Sequence, residues 1–181
     1  MSLDSKAHLF LCRHGRDSDA VPASLESAYT CSWWRPSAGT IRPEGQAGNR
    51  FWVWWLFHHG RIFKNQAYTI YVIQKGRRLV HRSCVFPGFF RFPFIASDDV
   101  QVGDIWTDPE HRRKGLASYA LHSIVSAPML RGRKIWYVVA EDNRASIRVA
   151  ERAGFVRYGE GVRKERFGSG LFAVYVIRHY L

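Results

Sequence analysis

The chain is poor in cysteine: Cys12, Cys31 and Cys84 are the only three among 181 residues. Their number is odd and none stands in a C-x-x-C spacing, so neither a disulfide framework nor a zinc site is indicated. No resident metal is expected. Long apolar runs are lacking as well. The longest aromatic-rich run, Phe51-Trp52-Val53-Trp54-Trp55-Leu56-Phe57, is far short of the ~20 residues of a membrane span. The first residues do not follow the basic-then-apolar layout of a secretory signal. A reduced, cytoplasmic protein without a membrane span is the expectation. Internal repeats and low-complexity segments do not occur. Acidic residues are scarce, with 15 Asp and Glu against 27 Lys and Arg. The resulting net charge of +12 and pI near 10.1 favour anionic ligands. Polycationic acceptors, which call for an acidic pocket, are disfavoured.

What remains is ordinary globular material, 46% apolar and 23% charged. The length suits one core, so a single domain over 1–181 is expected. Residues 1–97 and 98–181 are then its two halves. Up to about residue 65 the periodicity is poor. Positions 8–13 read as a strand, 36–49 as a loop, and 51–63 as a buried helix, with a strand as the competing reading. Positions 67–74 and 78–85 form a hairpin around Lys75-Gly76-Arg77. The segment 86–94 (F-P-G-F-F-R-F-P-F) holds two prolines, which exclude a central strand. It reads as an extended loop whose rings, Phe89 and Phe90 among them, pack on the core or wall an acceptor pocket.

From position 100 the pattern is clearer. Positions 100–107 form a strand, with Gly103 consistent with a bulge. Leu116, Ala117, Ala120, Leu121, Ile124 and Val125 mark the core face of a helix that Pro128 ends. Positions 134–140 read as a buried parallel-type strand. Asn143 stands as N-cap before a helix over 145–153 that Gly154-Phe155 closes. Strands over 156–166 and 171–179 pair about Gly168-Ser169-Gly170. This alternation predicts an α/β fold.

Between the strand at 100–107 and the helix at 116 lies D-P-E-H-R-R-K-G-L-A, positions 108–117. A turn delivered by a strand onto a helix N-terminus aims unpaired N–H groups and a partial positive charge at a phosphate. Its core, Arg112-x-x-Gly115-x-Ala117, resembles the pyrophosphate loop of the GNAT acyl-CoA N-acyltransferase superfamily. Glu141-Asp142-Asn143-Arg144-Ala145-Ser146-Ile147, leading to Ala153-Gly154-Phe155, resembles that superfamily's second signature. The resemblance implies a twisted mixed sheet flanked by helices, with splayed central strands holding acetyl-CoA. It implies coenzyme contacts from Ile105, Trp106 and Thr107, from Arg112, Arg113, Lys114, Gly115, Leu116, Ala117 and Ser118, and from Asn143 and Ser146.

The chain departs from the family's catalytic pattern. Where many members carry a general-acid Tyr, seven residues after the Asn, this chain has Ala150. Where some carry a Glu base, eleven residues before the Arg of the loop, it has Gln101. Ser146 is the next candidate for donating to the departing thiolate, Asp104 for a base acting through water, and His81 the second candidate base. Direct transfer needs no covalent enzyme intermediate, so no cysteine need be a nucleophile.

The reading is an acetyl-CoA-dependent N-acetyltransferase acting on a small, acidic or neutral amine, such as an amino sugar or nucleotide-linked amino sugar. The protein would be a monomer or homodimer. A protein N-terminal or lysine acetyltransferase of the ribosomal type is one alternative, for which Asn143-x-x-Ser146 is a mild cue. The other is a silent module that binds acyl-CoA or, less favoured, nucleic acid.

Overall fold

Alternate residues of the central strands feed two separate cores, and this alternation organises the molecule. The computed structural model describes residues 7–14, 24–46, 50–166 and 169–181. Strands β1 (Ala7–His14), β2 (Tyr29–Trp34), β3 (Thr69–Lys75), β4 (Arg78–Pro87), β5 (Val100–Thr107), β6 (Lys134–Ala140), β7 (Val156–Arg166) and β8 (Ser169–Tyr180) form one sheet. Their order is β2-β3-β4-β5-β6-β1-β7-β8. Helices are α1 (Arg50–His59), α2 (Leu116–Val125) and α3 (Arg144–Arg152). On β6, Ile135, Tyr137 and Val139 join the core under α2 and α3, while Trp136 and Val138 face the core shared with α1. The period-2 geometry of a strand makes these the two faces of the sheet.

All pairings are antiparallel except β5 with β6. That pair is short: Val100, Gln101 and Val102 match Ile135, Trp136 and Tyr137, and the register ends there although both strands continue. The cause lies on the other side of β5. Between Cys84↔Gly103 and Arg82↔Trp106, one residue of β4 opposes two of β5, a β-bulge. The bulge expected at Gly103 is there, but the left-handed residue is Asp104, with φ 45. Aspartate tolerates that region better than most side chains. The bulge turns β5 away from β6 and opens a fork in the middle of the sheet.

Several sequence expectations need correction. α1 forms but is not buried: Trp52, Val53 and Leu56 are 57%, 44% and 55% exposed, and the helix stops at His59. Among the side chains of this helix that are described, only Phe51 is fully buried, because α1 covers the core around Phe63, Phe86 and Phe89 with one side and meets water with the other. β4 runs through Phe86 and Pro87, and the proline is tolerated because it occupies the last paired position, opposite Val100. β2 is a strand that poor periodicity concealed. It is an edge strand, largely exposed at Thr30, Cys31 and Ser32, so it carries no alternation to read. β8 already begins at Ser169; Gly168, and 47–49 of the loop expected at 36–49, lie outside the described residues. β1 inserts between β6 and β7, so the N-terminal part of the chain contributes a strand among those formed after residue 98.

Candidate acetyl-transfer site

The loop after β5 is built by two left-handed residues. Asp108 caps a 3-10 turn (Pro109–His111), its carboxylate accepting from Glu110 N at 3.0 Å and pairing with Arg78 at 2.7 Å. Arg113 (φ 62) and Gly115 (φ 76) then reverse the chain onto the N-terminus of α2. No atom lies within 4 Å of where a Gly115 Cβ would stand, so the loop's inner side is open. Arg112 is drawn back across the loop, its Nε donating to Thr107 O at 3.3 Å.

Opposite this loop, Asn143 Oδ1 accepts from Ser146 N at 3.1 Å and caps α3, as the sequence predicts. Between the loop, the end of β5 and α3 lies a cleft of about 800 Å³. Ile105, Trp106, Thr107, Arg112, Arg113, Gly115, Leu116, Ala117, Ser118, Asn143 and Ser146 all line it. Of the positions expected to contact the coenzyme, only Lys114 is not among the lining residues. Six further lining residues were not expected: His111 of the loop, Tyr137 of β6, and Ala145, Arg148, Val149 and Arg152 of α3. The arginines follow from helical spacing, since 148 and 152 are one turn apart on α3. With Arg112 and Arg113 they give the cleft four guanidinium groups, suited to a phosphate-rich ligand.

Tyr137 had no sequence cue. It sits at the last β5–β6 register pair, opposite Val102, and lines the cleft together with Ser146. Burial raises its pKa above the ordinary phenol value, against the opposing effect of the nearby Ser146 hydroxyl, so the group is protonated at neutral pH. Ala150, at the family's usual Tyr position, is fully buried on the core-facing side of α3.

A second, smaller cavity of about 210 Å³ opens on the other face of the sheet at the same fork. Its walls are Trp54 of α1 and Phe86, Phe89 and Phe92; its polar groups are Gln101, Asp104, Arg91 and Tyr175. Phe92 stacks on Tyr175 with centroids 4.9 Å apart and an interplanar angle of 7°. The Phe-rich segment is thus a wall, although Phe90 points out to solvent, 44% exposed. Val102 and Val138 line this cavity while Tyr137 lines the larger one. The two cavities therefore converge where β5 parts from β6.

The candidate bases lie differently with respect to this convergence. Asp104 lines the smaller cavity, with Oδ1 3.2 Å from Arg82 Nη2. His81 is fully buried and lines neither cavity. Its Nδ1 is 2.8 Å from Thr107 Oγ1 and its Nε2 2.9 Å from Ser83 Oγ. Burial, with the Arg82 charge adding to it, pushes its pKa down to about 3. Asp99, which flanks Gln101 on its other side, is used in the fold: it accepts from Lys134 N at 3.1 Å and from Trp136 Nε1 at 3.4 Å. Gln101 itself is buried in the cavity wall, where it can hydrogen-bond but not act as a base. Among the described residues, no group of three or more His, Cys, Asp or Glu is placed to hold a metal.

A forked parallel pair, a left-handed loop onto a helix and a capping Asn across the cleft agree with the family-level comparison. The acetyltransferase (GNAT) family model matches residues 28–155. The chain belongs to the GNAT family. No curated protein matches it in sequence. Among solved structures it is similar to a tandem GNAT protein from the clavulanic acid biosynthesis pathway (21% identity, TM-score 0.57). That match covers 86% of this chain and 50% of the other. A Drosophila protein (15%, TM-score 0.57, covering 88% and 50%) is similar in the same way. So is a GCN5-related N-acetyltransferase from Sphaerobacter thermophilus (12%, TM-score 0.56, covering 86% and 50%). The chain spans about half the length of each of these structures. At these identities the likeness concerns the fold alone.

Proposed function

We propose that this chain transfers an acetyl group from acetyl-CoA directly to the primary amine of a small molecule. The observation that carries the reading is the meeting of two chemically different cavities at the β5–β6 fork. The arginine-rich cleft suits the coenzyme's phosphates, and the aromatic cavity suits a small acceptor. Backbone N–H groups of β5 beyond Val102, released from pairing with β6, are available to the pantetheine arm and to the carbonyl oxygen that gains charge in the transition state.

Asp104, at the acceptor side of the fork, removes the amine's proton through a water molecule. Nitrogen then attacks the thioester carbon, and the C–S bond breaks. Ser146 Oγ–H donates to the departing thiolate, and the protonated Tyr137 behind it restores that proton. His81, bonded on both ring nitrogens, holds Thr107 at the cleft instead of moving a proton. Rings of Phe89, Phe92 and Tyr175 favour an acceptor with a stackable face, such as an amino sugar or nucleotide-linked amino sugar, and Arg91 beside them favours an anionic substituent. Cys12, Cys31 and Cys84, none of them in a disulfide, fit a reducing, cytoplasmic setting.

Replacement of the family's Tyr and Glu by Ala150 and Gln101 favours one rival, a silent acyl-CoA-binding module. Release of free thiol from acetyl-CoA in the presence of a panel of amino sugars and other amines separates the two. Saturable, amine-dependent release supports transfer. Binding of acetyl-CoA with no amine-dependent release across the panel supports the silent module.

A further inference from the structure

His111 ends the 3-10 turn that carries the chain from β5 into the loop, and it lines the coenzyme cleft although only 8% exposed. Its backbone is fixed locally, the N–H donating to Asp108 O at 2.8 Å. Its ring is fixed from far away in the chain. Nδ1 lies 3.0 Å from the hydroxyl of Tyr29, the first residue of the edge strand β2 and 82 positions earlier. The two rings meet edge to face, with centroids 5.8 Å apart and an interplanar angle of 82°. Tyr29 is buried in the core under α2 with Leu116.

This contact decides which imidazole nitrogen carries the proton. A buried hydroxyl proton needs an acceptor, and among the described residues Nδ1 is the one hydrogen-bond partner of the Tyr29 hydroxyl. Tyr29 therefore donates to Nδ1. In a neutral imidazole one nitrogen accepts and the other donates, which puts the proton on Nε2. Nε2 has no partner among the described residues and is not sealed off from the cleft that the ring lines. Asp108, the carboxylate of the same turn, is taken by Glu110 N and Arg78. The ring thus brings an unsatisfied N–H donor to a cleft whose charge comes from Arg112, Arg113, Arg148 and Arg152.

Such a donor suits an anionic oxygen, which makes the stronger kind of hydrogen bond. His111 stands directly before Arg112, in the loop that leads onto the α2 N-terminus, where phosphate is favoured. We propose that His111 binds the coenzyme, its Nε2–H donating to a phosphate oxygen, and that Tyr29 is the positioning residue that fixes its tautomer and orientation. The edge strand β2 thereby serves the donor site through one hydroxyl that never touches the ligand. This inference rests on the coenzyme reading of the cleft.

The test joins a spectrum to a titration, both on the full chain. In a long-range proton–nitrogen NMR spectrum at about pH 8, His111 Nδ1 should appear as the unprotonated nitrogen and Nε2 as the protonated one, and acetyl-CoA should shift the Nε2 signal. In calorimetric titration, His111→Ala should weaken acetyl-CoA about tenfold or more, and Tyr29→Phe about threefold or more. Because Tyr29 acts only through His111, the double variant should bind no more weakly than His111→Ala. Pantetheine, the phosphate-free arm of coenzyme A, should bind His111→Ala as it binds wild type. A proton on Nδ1 in wild type, or wild-type affinity in folded His111→Ala, overturns the proposal while the coenzyme site stands. Should His111→Ala fail to fold, the spectrum and Tyr29→Phe, which removes a single oxygen, still decide. Unchanged affinity in Tyr29→Phe, or additive losses, overturns the role of Tyr29, and an equal loss for pantetheine overturns the phosphate contact. Failure of wild type to bind acetyl-CoA overturns the coenzyme reading and this inference with it.

Discussion

Arg82 Nη2 lies 3.2 Å from Asp104 Oδ1, and the two side chains are only 10% and 17% exposed. The guanidinium is held by Gln46 and by the rings of Phe51 and Trp106, 5.4 and 5.6 Å away. The pair therefore pins the bulge residue that opens the sheet. Removing one partner of a buried pair leaves the other charge uncompensated, at a cost of about 3–5 kcal/mol. Arg82→Ala is expected to lower unfolding free energy by that order, read by denaturant titration, and Arg82→Lys by less.

Asp104→Asn removes the base but also leaves the Arg82 charge without its partner, so it is compared with Arg82→Ala, which breaks the same pair and keeps the base. The expected result is a fall in kcat of about a hundredfold or more beyond the loss in Arg82→Ala. Wild-type kcat in Asp104→Asn would move the role elsewhere.

The donor end makes the complementary prediction. Ser146→Ala and Tyr137→Phe should each lower kcat by about tenfold or more, leave KM for acetyl-CoA nearly unchanged, and alter the alkaline limb, where a donor is lost by deprotonation. If the two hydroxyls act in one proton path, as proposed, the double variant loses little more than the worse single one. Additive losses would show that they act separately.

These residues show where sequence pattern ends. The loop at Arg112-x-x-Gly115, the Asn143 cap, the limits of β5 and the core face of α2 were legible, because each rests on local chemistry: a left-handed glycine, a side-chain cap, helical spacing. Tyr137 was not, since its meeting with Ser146 depends on how far β5 and β6 pair before they diverge. β2 was hidden because an exposed edge strand carries no alternation. α1 reads as buried because composition reports that a segment is apolar, while its packing as an outer layer over Phe86 and Phe89 decides which side meets water.

Gly115→Ala tests the loop. The position has φ 76, and the space that an added Cβ would enter is open, so the cost is conformational, about 1–2 kcal/mol. Each kcal/mol should lower Tm by about 2–4 °C in a chain of this size. The displaced amides should also weaken acetyl-CoA binding, while acceptor KM holds.

His81 sets a pH dependence of stability. Its folded pKa, about 3, lies below the ordinary histidine value, so the unfolded chain binds the extra proton first as pH falls. The stabilisation from the neutral ring is complete above about pH 6.5 and drains away between there and about pH 3, at up to about 1.4 kcal/mol per pH unit. His81→Asn should remove that slope from chemical denaturation curves. An unchanged slope would assign the acid sensitivity to other groups.

Everything at the donor end depends on the cleft between β5, α2 and α3 holding acetyl-CoA. The decisive measurement is calorimetric titration of acetyl-CoA into wild type and into an Arg113→Ala/Arg152→Ala variant. One saturable site is expected, competed by free coenzyme A and weakened about tenfold or more in the variant. No binding to wild type, or equal affinity in the two proteins, would contradict a coenzyme site in this cleft.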